Sequence, residues 1–321
     1  MDGSPTPDLA TLRQKLEQTN EAAPVEYKNL VFNYCVDLSF LKTKRPVAFL
    51  DCCFPEGIDL SGASLVHLRL TESKMAFLRA PSLSVATDMM CTHIESGPID
   101  LEDSRIDGDL ALAGARIQAA KTVATSQFYD LQLAIAPKAP PKPVSPTMPD
   151  HSAISIDRAT IGGRVFLQAS RWRCAEVSGS VSLRSASIGG VLSLKGARLC
   201  GTPEPPYLAI QAQGLRVAGA VHISAAIGAS NEKYVFVSVG KLDFSGTTLN
   251  GGFALREARR DDIGPDRDLA PPVGCVTQAN VTLWENVLSK CRVGSDSSLA
   301  FQRQSFLIAH FPDPDRTSPG S

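Results

Sequence analysis

A 19-residue unit recurs along this chain with no gap inside any copy, and that regularity limits the possible folds more than any other feature. The clearest copy is Val181–Leu199, VSLRSASIGGVLSLKGARL. Ile99–Ile117 (IDLEDSRIDGDLALAGARI), Ile154–Trp172 (ISIDRATIGGRVFLQASRW) and Leu242–Arg260 (LDFSGTTLNGGFALREARR) keep the same spacing. Ile210–Gly228 (IQAQGLRVAGAVHISAAIG) keeps it with several substitutions. The tenth position is glycine in all five copies: Gly108, Gly163, Gly190, Gly219 and Gly251. The twelfth and fourteenth are apolar throughout, as in Leu192 and Leu194.

A repeat of fixed period is the signature of stacked structural units. Inside the unit the apolar residues alternate at the strand period, in runs too short for helices. Glycine at one fixed place permits either a positive φ or a close approach of two backbones at a corner. Short strands joined by glycine corners predict a parallel β-helix whose coils hydrogen-bond to one another and stack their apolar residues inside. Copies begin at 154, 181, 210 and 242, so one unit plus a connector of variable length makes one coil. Imperfect copies at Ile58–Ala76 and Val281–Leu299, with His67 and Lys290 in place of the glycine, fit the ends of a stack. The expectation is an all-β, parallel, right-handed β-helix or solenoid of about seven coils with short helical caps, roughly 30–35 Å long. A β-sandwich of similar hairpins is the competing reading. It is disfavoured by the gap-free copies and by the scarcity of hairpin signals, Asn250–Gly251 being the exception.

The chain divides accordingly. Residues 1–46 read as an N-terminal cap and lead-in segment, with a helix at Asp8–Thr19 that sets Leu9, Leu12 and Leu16 on one side. Residues 26–56 read as lead-in strands or an irregular first coil, and 77–98 as a connector or less regular coil. Residues 47–295 form the β-helix. Its interruption carries a proline-rich loop at 137–150, six prolines in fourteen residues, which cannot belong to a strand ladder. Residues 296–321 read as a C-terminal cap and tail.

With 321 residues, 43% hydrophobic and 20% charged, the composition is that of a globular chain. No apolar run of about 18 residues predicts a transmembrane helix, and no basic-then-apolar start predicts a secretory signal. Eight scattered cysteines without a CxxC read as reduced thiols in a cytoplasmic protein.

Sequence motifs for catalysis are absent: no GxSxG, HExxH, GxxxxGK(S/T) or GxGxxG occurs. The five histidines lack metal-ligand spacing, so neither metal, cofactor nor catalytic residue is expected. His222, between Val221 and Ile223, should point outward. The eighteenth position of the unit holds Arg116, Arg171, Arg198 and Arg259, which in stacked coils become a stripe on one side. The stripe is a candidate binding face for an anion, or else a solvated edge whose arginine stems cover apolar surface. Charge also changes along the chain: residues 51–110 hold eleven acidic and four basic residues, 158–216 two acidic and eight basic. An acidic end and a basic middle could steer a partner or favour head-to-tail self-association.

At IDLSGASL (Ile58–Leu65) and VLSLKGARLCG (Val191–Gly201) the chain resembles the pentapeptide-repeat family, whose pattern is roughly A(D/N)LxG. The resemblance implies a right-handed quadrilateral β-helix. Some members of that family mimic DNA and bind type II topoisomerases, and most have no known activity. The five-residue period is not strict here, since Leu183 to Ile188 is five but Ile188 to Leu194 is six, a departure from the quadrilateral section. Taken together these readings favour a non-enzymatic binding or scaffold module of bacterial type. Its partner would be another protein, a second copy or an anionic ligand. The alternatives are a β-helix enzyme acting on a glycan and a nucleic-acid or topoisomerase modulator.

Overall fold

Four short strands make one coil: Leu68–Thr71, Lys74–Met75, Leu78–Arg79 and Ser84–Val85. Leu68, Leu70, Ser73, Met75, Leu78, Ala80, Leu83 and Val85 all point inward and are buried, whereas Arg69, Lys74 and Ser84 point out. The inward residues fall into two series, 68/73/78/83 and 70/75/80/85, each with a period of five. Four five-residue sides therefore close one turn of chain. The computed structural model describes residues 6–17, 23–119, 152–201, 208–239, 241–251, 253–256, 258–261 and 292–293.

Coils stack so that each side becomes a parallel sheet, with nine strands on the first face and eight on each of the other three among the described residues. On the third face one column runs Val36, Ile58, Leu78, Ile99, Ile154, Val181, Ile210, Leu242, with a register irregularity in the strands just before Ile154 and Ile210. The first residues of the sequence copies thus lie one above another, as the repeat predicts, and the fold is a parallel β-solenoid. Leu78 belongs to the same column. Residues 77–98, read as a connector or less regular coil, contribute to a regular coil with Met89, Cys91 and Ile94 in the core. The stack is consequently longer than the seven coils counted from the copies. Residues 25–46 also form a coil, since Val25–Lys28 pairs with Val47–Leu50.

The section is quadrilateral despite the broken five-residue period. Val85 to Cys91, Ile106 to Leu112, Ile161 to Leu167 and Ile188 to Leu194 each span six residues, and the additional residue always falls at the corner between the fourth and first faces. That corner is where the recurring glycines stack. The amides of Gly163, Gly190, Gly219 and Gly251 donate to the carbonyls of Gly108, Gly163, Gly190 and Gly219 at 2.7–3.0 Å. A Cβ at Gly219 would lie 2.6 Å from the Gly190 carbonyl oxygen. These glycines have no positive φ, so close backbone approach, not conformational freedom, is what requires them. The left-handed turns sit at other corners. Between the third and fourth faces Phe40, Ser82, Asp103, Arg158 and Ser185 have φ of 56–58°, and Gly214 holds an equivalent place at 71°.

The N-terminal end is closed by helix α1, Leu9–Glu17. Asp8 caps it, accepting from the Thr11 amide at 2.7 Å, and Leu12 and Leu16 are fully buried over the first coils. Beneath them Tyr27, Phe32, Phe49 and Phe54 form an aromatic plug, with Phe32 stacked on Phe54 at 4.9 Å. Cys52 points inward and Cys53 outward, as adjacent strand residues must. The proline-rich loop at 137–150, the imperfect copy at 281 apart from Arg292 and Val293, and the C-terminal cap at 296–321 lie outside the described residues.

Two glycine substitutions separate the two mechanisms. Gly219→Ala drives a Cβ into backbone that hydrogen bonds hold in place and should cost at least about 2 kcal/mol. Gly214→Ala, whose Cβ would meet nothing closer than 3.5 Å, should cost only the left-handed strain of about 1–2 kcal/mol. Urea unfolding midpoints check the order; equal losses would contradict it.

Candidate functional site

Outward residues at equivalent positions of successive coils stand about one inter-strand spacing apart, so side chains of neighbouring coils interact directly. On the second face the register sets Lys74, Glu95, Arg116, Glu176 and Arg198 in one column. Their charges alternate. Lys74 lies 3.2 Å from Glu95, Arg116 lies 4.0 Å from Glu95 and 3.2 Å from Glu176, and Arg198 lies 3.8 Å from Glu176. The column is a self-compensating ladder.

This placement bears on the arginine stripe. Arg116 and Arg198 occupy the column, two coils apart, and Arg259 joins it by backbone register through Val237. Arg171 does not. After Leu167 the chain inserts five residues before the strand resumes, and Glu176 takes the column position instead. The signal was legible in Ala175–Glu176–Val177, which repeats the small–charged–apolar motif five residues after Ser170–Arg171–Trp172.

The charge asymmetry along the chain is largely spent between adjacent coils. Arg158 makes a two-pronged contact with Asp103 at 2.8 Å on both prongs and reaches Glu102 at 2.6 Å. Arg164 contacts Asp109 at 2.7 Å, and its own amide donates to the same carboxylate. Arg184 holds Asp157, a nearly buried carboxylate that also accepts from the Ser182 hydroxyl at 2.5 Å and the Arg184 amide at 2.8 Å. The Arg158 guanidinium keeps the Asp103 carboxyl below its ordinary range, and Arg164 does the same for Asp109. The Arg158 and Arg164 contacts bridge the coils on either side of the interruption at 120–151, where the chain must re-enter in register.

The five inserted residues and a second insertion build a protrusion at the corner between the first and second faces. Ser170 folds the first loop, accepting from the Trp172 and Arg173 amides through its hydroxyl. Arg173 turns back to the stack, bonding the carbonyls of Gly114 and Ile94 and pairing with Glu95 at 3.5 Å. Two coils later Ala226–Ile227 and Lys233–Tyr234 form a two-stranded antiparallel ribbon. The Ala229 amide donates to the Arg171 carbonyl at 2.8 Å, so the insertions meet over the intervening coil at Gly196. Trp172 and Ile227 are 70% and 73% exposed.

His222 lies at an outward register position, and burial holds its pKa below the ordinary value. Among the described residues no group of three metal-ligating side chains occurs. The core thiol of Cys91 is pushed up to about 12 by burial, which removes it from thiolate chemistry. The concavity formed by Ser187, Gly189, Arg216, Ala218, Thr248 and Asn250 holds about 220 Å³ and is open.

No family model matches this chain, and no curated protein matches it significantly. Among solved structures it is similar to HetL of the cyanobacterium Nostoc sp. strain PCC 7120, a pentapeptide repeat protein involved in heterocyst differentiation regulation. The identity is 19% over 81% of this chain and 97% of that one, with a TM-score of 0.23.

Glu95 is the hub of the ladder, meeting Lys74, Arg116 and Arg173. Glu95→Lys should lower stability by about 1–2 kcal/mol, with part of the loss recovered in high salt. A salt-independent loss would point to packing. Asp103 and Asp109 titrate lower folded than unfolded, so their stabilisation is complete above their unfolded pKa of about 4 and fades as pH falls below it. An Arg158→Ala, Arg164→Ala double variant should therefore show a shallower loss of urea stability from pH 5 to pH 2 than the parent.

Proposed function

We propose that this chain is a non-enzymatic binding or scaffold module that works through the outer faces of its solenoid. The observation that carries the reading is how the charged side chains are used. Acids and bases of adjacent coils pair on open faces, Arg158 with Asp103, Arg164 with Asp109 and Arg184 with Asp157, and the open concavity lined by Ser187, Arg216 and Thr248 carries no carboxylate. A glycoside-cleaving site needs two carboxylates on opposite sides of an enclosed sugar. DNA mimicry needs an unbroken acidic surface, whereas here cations alternate with the acids. What the fold offers is length, flatness and rigidity, suited to holding a partner protein or a second copy. The ladder through Arg116 and Arg198, with Arg171 and Arg259, stands on the candidate side. An anionic ligand there would have to displace Glu95 or Glu176 from their partners, so a protein with its own alternating charges fits this side better.

The test is affinity capture from native lysate with the parent and an Arg116→Ser, Arg171→Ser, Arg198→Ser variant, after both show the same β-rich circular dichroism. A protein held by the parent and lost by the variant supports the reading and places the contact. A partner held equally by both supports binding and moves it off this side. No partner, together with turnover in a glycan-hydrolysis screen, would overturn the reading.

A further inference from the structure

The corner between the first and second faces holds one ionisable ring that neither the ladder nor the core uses. His93 sits there in the left-handed conformation, at φ 58°. Its side chain is 23% exposed, yet the Nε2 atom is buried without a hydrogen-bond partner. Nδ1 lies 3.9 Å from Oε1 of Glu72, one coil earlier. On the other side is the loop Ser170–Cys174. Gly114 has no side chain to hold the two apart: a Cβ there would lie 2.5 Å from His93 Cδ2 and 2.8 Å from the Ser170 Oγ. The Gly114 carbonyl accepts from Arg173 Nε, and the Ile94 carbonyl, one residue after His93, accepts from Arg173 Nη2 at 3.2 Å. The imidazole and the guanidinium that anchors the loop thus share one corner.

The proton count decides what this seat accepts. A neutral imidazole carries one proton, which on Nδ1 faces Glu72 and leaves Nε2 bare. A second proton has to go on Nε2, where nothing accepts it. A buried N–H without an acceptor is costly, and here it comes with a positive charge beside Arg173. Burial is the largest cause that lowers the pKa of His93, and the Arg173 charge adds to it. Glu72 acts the other way, but it is 65% exposed and water screens its pull. The remaining charged groups on the packed elements are engaged elsewhere. Lys74, Arg116 and Glu176 belong to the ladder, and Glu95 shares its charge among Lys74, Arg116 and Arg173. The Cys174 thiol donates to Glu176 at 3.3 Å, and Arg171 in the same loop is exposed.

We propose that His93 is an acid-sensitive latch for the loop Ser170–Cys174: the ring seats at Gly114 while neutral, and taking up a proton drives the loop from the corner. In the released form the imidazole is hydrated and titrates near its ordinary value of about 6.5. The seated form therefore loses its advantage as pH falls below about 6.5, and release grows by up to about tenfold for each pH unit until the seated ring itself titrates. Release frees Arg173 from Gly114 and Ile94 and takes the Arg171 carbonyl from the Ala229 amide, so Trp172 and the ribbon at Ala226–Tyr234 part. The latch changes the shape of the protrusion and leaves the stacked coils intact. It stands whether or not the long faces hold a partner.

The experiment is NMR of the full chain from pH 8 to pH 5, following the His93 ring and the backbone amides of residues 170–174 together. Both should move with one midpoint below about 6.5. Exchange of the Arg173 amide, corrected for its intrinsic pH dependence, should accelerate by up to about tenfold per pH unit. His93→Asn tolerates the left-handed turn and does not titrate, so its loop should stay closed at pH 5. Glu72→Gln removes the opposing acid and should move the shared midpoint to lower pH. A loop that stays closed while His93 titrates overturns the proposal, as does a pH response that survives in His93→Asn. A midpoint above about 6.5 overturns it too, since the seat would then favour the charged ring. Loss of the β-sheet circular dichroism over the same range would mean that the whole stack unfolds, and equally overturns it. If His93→Asn fails to fold, the Glu72→Gln shift decides, and an unmoved or raised midpoint is the overturning result.

Discussion

Backbone hydrogen bonding from coil to coil is the interaction on which the rest of this molecule depends. Each coil is too short and too open to bury its own apolar residues. Only when its amides and carbonyls meet those of the neighbouring coils do Ile99, Ile154 and Val181 come into one column and exclude water. The spacing of that ladder leaves no room for a side chain at the corner where Gly108, Gly163, Gly190, Gly219 and Gly251 stack. A single backbone distance thus explains the glycine of all five copies, and the column gives way to Thr87 in the coil before Gly108.

The same ladder dictates the electrostatics. Stacking equivalent positions brings like charges together unless the sequence compensates, and compensation is what the second face displays from Lys74 to Arg198. Between the coils flanking the interruption, Arg158 and Arg164 grip the acids of the coil before. Individually such exposed pairs contribute little. Collectively they favour one register over its neighbours, because a shift by one residue would move the basic partners away from the acids.

Departures from regularity are where the chain acquires individuality. The loop at Ser170–Cys174 and the ribbon at Ala226–Tyr234 interrupt neither the core nor the ladder, yet they meet outside and hold two large apolar side chains in solvent. Burial would have been available to a shorter loop. Arg173 anchors the base of this one to the coil before, while Trp172 faces out.

Much of this was legible beforehand. Repeat period, glycine and strand alternation favour a parallel coil over a sandwich of hairpins, since gap-free copies stack in register; the helix after Asp8 and the outward His222 follow from the same local rules. Coil count and cross-section were decided by the tertiary structure. Residues 77–98 depart from the unit in sequence yet keep its inward positions, and a sixth residue fits at one corner without changing the four sides. The arginine stripe depended on corner length, a quantity the pattern does not contain. Inserting five residues after Leu167 replaced Arg171 with Glu176 and turned a row of like charges into an alternating ladder. A sequence states which residues alternate along a strand. Which of them stand together is set by how many residues each corner consumes, and that is settled only when the coils hydrogen-bond.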